Sequence, residues 1–213
     1  VYIFYKISKK TKFFAIRKKF FTPLLTNKNK AIKGRVEKKY KVKTFKNLND
    51  FKKNKIKVDA AFICTPSKFH ADEAHWLIKN NINVFVEKPL GSSLKNLNKL
   101  KSLIKSKSRI VNMMGYQLKF NPIILKLKQI IKDDTVGQIY NVFINHGEHI
   151  EDFHPYEGYK HSYAARKELG GGVVLSQIHE IDYLLFLFEN HKVKIINTIT
   201  SYISDLKLNV EDN

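Results

Sequence analysis

A glutamate and a lysine stand side by side ahead of a proline, Glu87-Lys88-Pro89, directly after the apolar run Val84-Phe85-Val86. An ammonium held there can hydrogen-bond a substrate hydroxyl or carbonyl and stabilise charge that develops on its oxygen. A strand-end salt bridge with a turn fits the same spacing. Further along, His179 and Asp182 are three residues apart and share one face of a helix, and Ser176 precedes His179 by one turn on that face. A histidine titrates near neutrality and suits proton abstraction from an alcohol, although a helical histidine taken singly is also an ordinary structural residue. Gly170-Gly171-Gly172 allows close backbone approach and the release of a helix. It is no phosphate loop, because it lacks the G-x-G-x-x-G spacing and follows no buried parallel strand. Histidines 146 and 149, three apart in a strand-like run, fall on opposite faces, and no metal site is expected.

The elements that must position these groups alternate. A strand is expected over 12–17, a helix over 31–40, a short strand over 42–45 and a helix over 48–54. The unbroken apolar run 58–64 (V-D-A-A-F-I-C) reads as a strand buried on both faces. A helix over 71–80 follows, with Ala74, Leu77 and Ile78 in register. Then come a strand over 83–86, a helix over 93–106 opened by a Ser93 cap, and a strand over 109–114. Such alternation implies parallel βαβ units with right-handed crossovers. Ligands bind outside the carboxyl ends of the strands in such sheets, which selects the loops Thr65-Pro66-Ser67, Glu87 to Gly91 and Gly115-Tyr116-Gln117. After Gly115 the pattern changes: a helix over 122–132, strand-like runs over 138–149, 194–203 and 206–210, a polar aromatic loop over 151–167, and a helix over 173–188. The expected fold is α/β, a partial doubly wound parallel sheet over residues 1–118, followed over 119–213 by an incomplete α/β domain with a mostly antiparallel open sheet.

Composition removes whole classes. The 213 residues are 43% hydrophobic and 12% aromatic, which supports a packed core rather than disorder. One cysteine, Cys64, excludes a disulfide scaffold. No apolar run approaches the roughly 20 residues a bilayer requires, and no secretory pattern opens the sequence, so a cytoplasmic setting and no membrane partner are expected. The net charge of +20 invites a nucleic-acid reading. Yet of 39 Lys+Arg only four are Arg (Arg17, Arg35, Arg109, Arg166), and base and phosphate recognition favours Arg. The lysines travel with Asn, Ile and Phe along the whole chain, so compositional bias is the preferred cause and no nucleic-acid partner is expected. The sequence opens on Val1 and closes in the polar segment 206–213 without a cap, and it reads as a fragment.

Together these pieces resemble the glucose-fructose oxidoreductase, inositol dehydrogenase and MocA family (Gfo/Idh/MocA). The resemblance rests on C-T-P-S-K-F-H (64–70), V-F-V-E-K-P-L (84–90), M-G-Y-Q-L-K-F-N-P (114–122) and S-Y-A-A-R-K-E-L-G-G-G-V-V-L-S-Q-I-H-E-I-D-Y-L (162–184). It implies a Rossmann dinucleotide domain followed by a substrate and oligomerisation domain. By resemblance, Lys88 matches the lysine that contacts substrate and nicotinamide, His179 the general acid/base, and Asp182 the acidic residue that orients the imidazole or contacts substrate. Thr65, Pro66, His70, Glu87 and Gln117 fall in loops that line the cofactor. Tyr159, Tyr163 and Arg166 belong to a loop that shapes the substrate pocket, whose wording is similar to members of bacterial surface-sugar pathways. Two departures stand out. The G-x-G-x-x-G unit that cradles pyrophosphate is absent, so this chain is expected to bind a dinucleotide poorly. Ser176-Gln177 stands where the family frequently carries Asp. Arg17-Lys18-Lys19, at the end of the strand expected to meet the adenosine ribose, tolerates a 2′-phosphate and favours NADP slightly over NAD. The implied activity is NAD(P)-dependent hydride transfer at a hydroxyl or carbonyl carbon of a sugar, sugar derivative or cyclitol, by a homo-oligomer when full length. The alternatives are a non-catalytic dinucleotide- or sugar-binding relative and a basic nucleic-acid-binding protein.

Overall fold

The computed structural model describes residues 51, 53, 58, 60–153 and 158–213. The expected elements over 12–17, 31–40 and 42–45, together with Arg17, lie outside the described residues. The chain divides between Met114 and Gly115 into two compact units.

In the first unit, strands β1 (Ala60–Ile63), β2 (Asn83–Val86) and β3 (Asn112–Met114) form a parallel sheet in the order β1-β2-β3. Helix α1 (His70–Lys79) links β1 to β2, and α2 (Leu94–Ser106) links β2 to β3. Alternation sets the buried face: Ala61 and Ile63 of β1 and Val84 and Val86 of β2 point into the core. Ala71, Ala74, Leu77 and Ile78 of α1 cover that face, and Leu100 of α2 closes it. Leu77, Ile78 and Leu100 are each 1% exposed, and each such side chain contributes about 1.5–3 kcal/mol of burial.

Strands β1 and β3 are shorter than expected, for a reason found in their neighbours. The register Ala60↔Asn83 to Ile63↔Val86 gives β1 only as many residues as β2 can pair. β3 starts at Asn112 because a turn occupies the residues before it, with the Ile110 N–H donating to the Lys107 carbonyl at 3.0 Å. Burial on both faces, expected for 58–64, holds for one face only. On the other, Phe62 and Phe85 stack at 5.3 Å between centroids and are half-exposed. Ser93 does stand at the N-cap of α2 with extended backbone, but its hydroxyl makes no capping bond. It is exposed, and water can serve the same donors.

In the second unit, Asn121 caps α3 (Pro122–Lys132): its side-chain oxygen accepts from the Ile123 N–H at 2.9 Å, with Pro122 in the first turn. A short helix α4 (Ile150–Phe153) precedes three 3₁₀ turns, Tyr159–His161, Tyr163–Ala165 and Lys167–Leu169. The single helix expected over 173–188 is two pieces, α5 (Val173–Ser176) and α6 (His179–Leu187). The break is at Gln177, whose ψ of 34° leaves the helical region and interrupts the backbone ladder. Helices α3 and α6 pack together, with Lys128 Nζ 3.6 Å over the Phe186 ring and 2.8 Å from Glu189.

The mostly antiparallel sheet expected in this unit does not form among the described residues. Segments 138–149, 194–203 and 206–210 carry no strand ladder and are largely exposed. A strand needs a continuous row of backbone partners. Over the last twenty residues the nearest approach is a cluster of bonds between Ser201 and Asp212-Asn213, at 2.8–3.3 Å. The α/β class is therefore carried by the first unit. Among the described residues, no helix is long and apolar enough to cross a membrane.

Candidate active-site elements

The parallel register brings the ends of β1 and β2 to one edge of the sheet, and the loops that follow them carry five of the expected site residues. Pro66, with φ −59° and ψ 146°, launches the 3₁₀ turn Ser67–Phe69, whose end places His70 at the first position of α1. His70 is 1% exposed. Its Nδ1 lies 2.6 Å from the Pro89 carbonyl oxygen, and its Nε2 is closer still to the carbonyl oxygen of Thr65. Burial pushes the His70 pKa down, while the two carbonyls and the Glu87 charge pull it back up. His70 is thus sealed, with both ring nitrogens against backbone carbonyls.

Thr65 is likewise turned inward, its hydroxyl donating to Glu73 Oε2 at 2.8 Å. Glu73, a 5% exposed carboxylate, is the residue here that sequence reading missed. Its place one turn into α1, eight residues after Thr65, is the only signal the sequence offers. Glu87 anchors the next loop: its N–H donates to the Ile63 carbonyl at 2.9 Å, and its Oε2 accepts from the Lys88 N–H at 3.3 Å. Lys88 follows, half-buried, ahead of a cis peptide to Pro89. Gly91 closes the loop against α1, where an added Cβ would come within 3.2 Å of Ala71 Cβ.

In the second unit the cluster forms around His179, the first residue of α6. The 3₁₀ turn Gln117–Phe120, with Tyr116 at its N-cap, delivers two groups to that helix. The Tyr116 ring meets the His179 ring edge-on at 6.3 Å and 82°, and Lys119 Nζ lies 2.9 Å from Asp182 Oδ1. The same ammonium is 5.3 Å from the Tyr116 ring centroid and 5.8 Å from that of Phe186. Burial first, and the Asp182 charge second, push the Tyr116 phenol above its ordinary pKa. Asp182 is thus engaged by Lys119, a lysine the sequence reading left out although it sits in the quoted G-Y-Q-L-K-F-N-P segment. Gln117 itself is exposed. Alongside, Gln177 donates to Glu148 Oε2 at 3.2 Å and His146 Nδ1 lies 3.9 Å from Glu180 Oε1.

Tyr159 and Tyr163 open two successive 3₁₀ turns and Arg166 links the second to the third, in a segment that folds back on the glycine triplet. Gly172 N–H donates to the Ala164 carbonyl at 2.9 Å and Gly171 N–H to the Arg166 carbonyl at 3.1 Å. Gly170 is left-handed at φ 80°, and a Cβ on Gly171 would strike the carbonyl oxygens of Tyr163 and Ala164. The glycines thus serve close packing ahead of α5. The Arg166 guanidinium pairs with Glu168, with Nε 2.7 Å and Nη2 2.6 Å from Oε1. Among the described residues no three His, Cys, Asp or Glu side chains gather as a metal site.

Comparison with known proteins places this arrangement. Residues 14–116 match the family described as "Oxidoreductase family, NAD-binding Rossmann fold". The inositol 2-dehydrogenase of Rhizobium meliloti is 26% identical over 143 residues, which are 66% of this chain and 40% of that protein. The NAD-binding protein of Listeria innocua superposes with a TM-score of 0.62 at 21% identity, over 89% of this chain and 51% of its own. The scyllo-inositol dehydrogenase of Lactobacillus casei, solved with NAD(H) and scyllo-inositol, gives 0.58 at 21% identity, over 72% and 44%. The chain spans about 40% of the length of that curated relative. The parallel sheet, the E-K-P loop at its edge and the match across residues 14–116 agree, and over that segment the chain is similar to the Gfo/Idh/MocA oxidoreductases with their NAD-binding Rossmann fold.

Proposed function

We propose that the protein contributes to an NAD(P)-dependent oxidoreductase that moves a hydride between nicotinamide and a hydroxyl-bearing carbon of a sugar, sugar derivative or cyclitol. The observation that carries this reading is Lys88: it follows the middle strand of a parallel sheet, in E-K-P order, at the edge where this fold binds ligands. The donor set at that edge, an ammonium beside loop backbone, suits the nicotinamide-ribose end of a dinucleotide, with Lys88 and the backbone of Thr65, Pro66 and Glu87 as its holders. No G-x-G-x-x-G in the 213 residues serves the pyrophosphate.

When bound, the dinucleotide supplies a hydride acceptor or donor at nicotinamide C4. In the oxidative direction Lys88 donates a hydrogen bond to the substrate oxygen and stabilises its growing negative charge. By resemblance His179 is the general base for the hydroxyl proton, a role a ring nitrogen can take. Tyr116 steadies that imidazole from the side, and Lys119 holds Asp182 one turn along α6. The inositol 2-dehydrogenase relative supports a polyhydroxylated ring as substrate. Arg17-Lys18-Lys19 supports acceptance of a 2′-phosphate, hence NADP beside NAD.

Initial rates with NAD⁺ and NADP⁺ across inositols and sugars test this on the full chain. Turnover of at least one substrate is expected, lowered roughly 10²–10⁴-fold in His179→Ala or Lys88→Ala. Dinucleotide binding with no turnover of any sugar, and no effect of Lys88→Ala, would refute it. That outcome would favour a non-catalytic relative, the reading to which Ser176, in place of the family's frequent Asp, points.

A further inference from the structure

We propose that His70 is a positioning residue for Lys88: its imidazole straps the loop after β1 to the loop after β2 through the carbonyl oxygens of Thr65 and Pro89. This rests on the reading of Lys88 as a catalytic residue.

The geometry goes beyond packing. A ring that merely filled space at the start of α1 would need no nitrogens, yet both nitrogens of this one reach a backbone acceptor, each on a different strand-end loop. Carbonyl oxygens only accept, so the neutral ring serves one of the two through its single N–H and the imidazolium serves both. Pro89 is fully buried and immediately follows Lys88. On the other side of Lys88, the Glu87 N–H is tied to the Ile63 carbonyl. The Lys88 backbone is therefore held from both flanks, by β1 through Glu87 and by α1 through His70. Thr65 is held to α1 twice, by His70 and by its hydroxyl bond to Glu73. Lysine carries a long, freely rotating stem, so the reach of its ammonium depends on where its backbone is fixed.

Isosteric variants separate the two ties. In His70→Asn the amide nitrogen falls near the place of Nδ1 and keeps the tie to Pro89. In His70→Gln it falls near Nε2 and keeps the tie to Thr65. His70→Phe keeps the ring volume and loses both. Hydrogen–deuterium exchange on the full chain reads the loops without turnover. We expect His70→Phe to speed exchange in peptides over 64–69 and 86–91, with the peptide over 94–106 unchanged. His70→Asn should restore slow exchange to 86–91 only, and His70→Gln to 64–69 only. In the oxidoreductase assay, His70→Phe and His70→Gln should lower kcat about 100-fold, the loss expected for a misplacement of about 1 Å, while His70→Asn stays near the parent and KM moves little in all three.

If His70→Phe protects 86–91 as well as histidine does, or His70→Asn fails to restore that loop, the strap is overturned. If the exchange pattern holds and the parent turns over, but His70→Gln leaves kcat unchanged, positioning of Lys88 is overturned. If the exchange pattern holds and no form, parent included, turns over any substrate, the oxidoreductase reading fails while the strap itself stands. If His70→Phe does not fold, the Asn and Gln pair still decides, because the two amides are expected to hold opposite loops.

Discussion

Replacing Gly171 by alanine tests how the segment ahead of α6 is built. A Cβ at that position would lie 2.5 Å from the Tyr163 carbonyl oxygen and 2.8 Å from the Ala164 carbonyl carbon, and closer still to the Ala164 oxygen. All three obstacles are backbone, which cannot rotate away as a side chain can. Relief requires the 3₁₀ turn Tyr163–Ala165 to retreat from the glycine triplet. Overpacking of this kind costs about 1–3 kcal/mol. The retreat also stretches the bonds from Gly171 N–H to Arg166 and from Gly172 N–H to Ala164, each contributing about 1 kcal/mol. The sum is about 3–5 kcal/mol for the second unit. Two other glycines calibrate it. Gly137 is left-handed at φ 70° with nothing near a Cβ, so Gly137→Ala should cost about 1–2 kcal/mol of backbone strain. Gly147 has open space and no unusual φ, so Gly147→Ala should fall within about 0.5 kcal/mol of the parent. Urea unfolding followed by circular dichroism, with limited proteolysis to report the second unit separately, measures the order. A Gly171→Ala variant within 1 kcal/mol of the Gly147→Ala variant would refute the close docking of the turns on the triplet.

Three further outcomes follow from the same structure. Leu77→Ala, at a site 1% exposed between α1 and the sheet, should cost about 2–5 kcal/mol and lower the thermal midpoint of the first unit. Asp182→Asn should lower the Tyr116 pKa, because a negative charge that disfavours phenolate is removed, while Lys119→Met should raise it; ultraviolet difference titration of the phenolate reads both signs. Cys64 has exposed surface, yet crowding of its thiol first and the Glu87 carboxylate second push its pKa up to about 11. Its alkylation by iodoacetamide should therefore be slow near neutral pH and rise about tenfold per pH unit toward 11. Glu87→Gln should shift that profile to lower pH.

Local pattern carried the first unit far. The run Asn83–Val86 is a strand to the residue, because β-branched and aromatic residues alternate there between turn signals. The helices at 70–79 and 94–106 lie within a residue of their expected starts, because their apolar spacing and Ser93 are visible in one dimension. The E-K-P loop was placed by the same logic, since a ligand edge follows from strand order alone. Strand-like composition misled in the second unit, where 138–149 and 194–203 find no ladder among the described residues. Propensity says what a segment can pair as, and pairing needs a neighbour with free backbone.

The sequence by itself determined which residue types are available for chemistry, the parallel alternation that sets Lys88 after a strand, and the family those residues resemble. Only the tertiary structure decided what each group is attached to. His70, which reads as one more loop residue, joins two carbonyls 24 positions apart in the chain; Lys119 meets Asp182 across 63 positions. Side chains that far apart have no periodicity in common, and their contacts exist only once the sheet register and the helix packing have fixed the backbone in three dimensions.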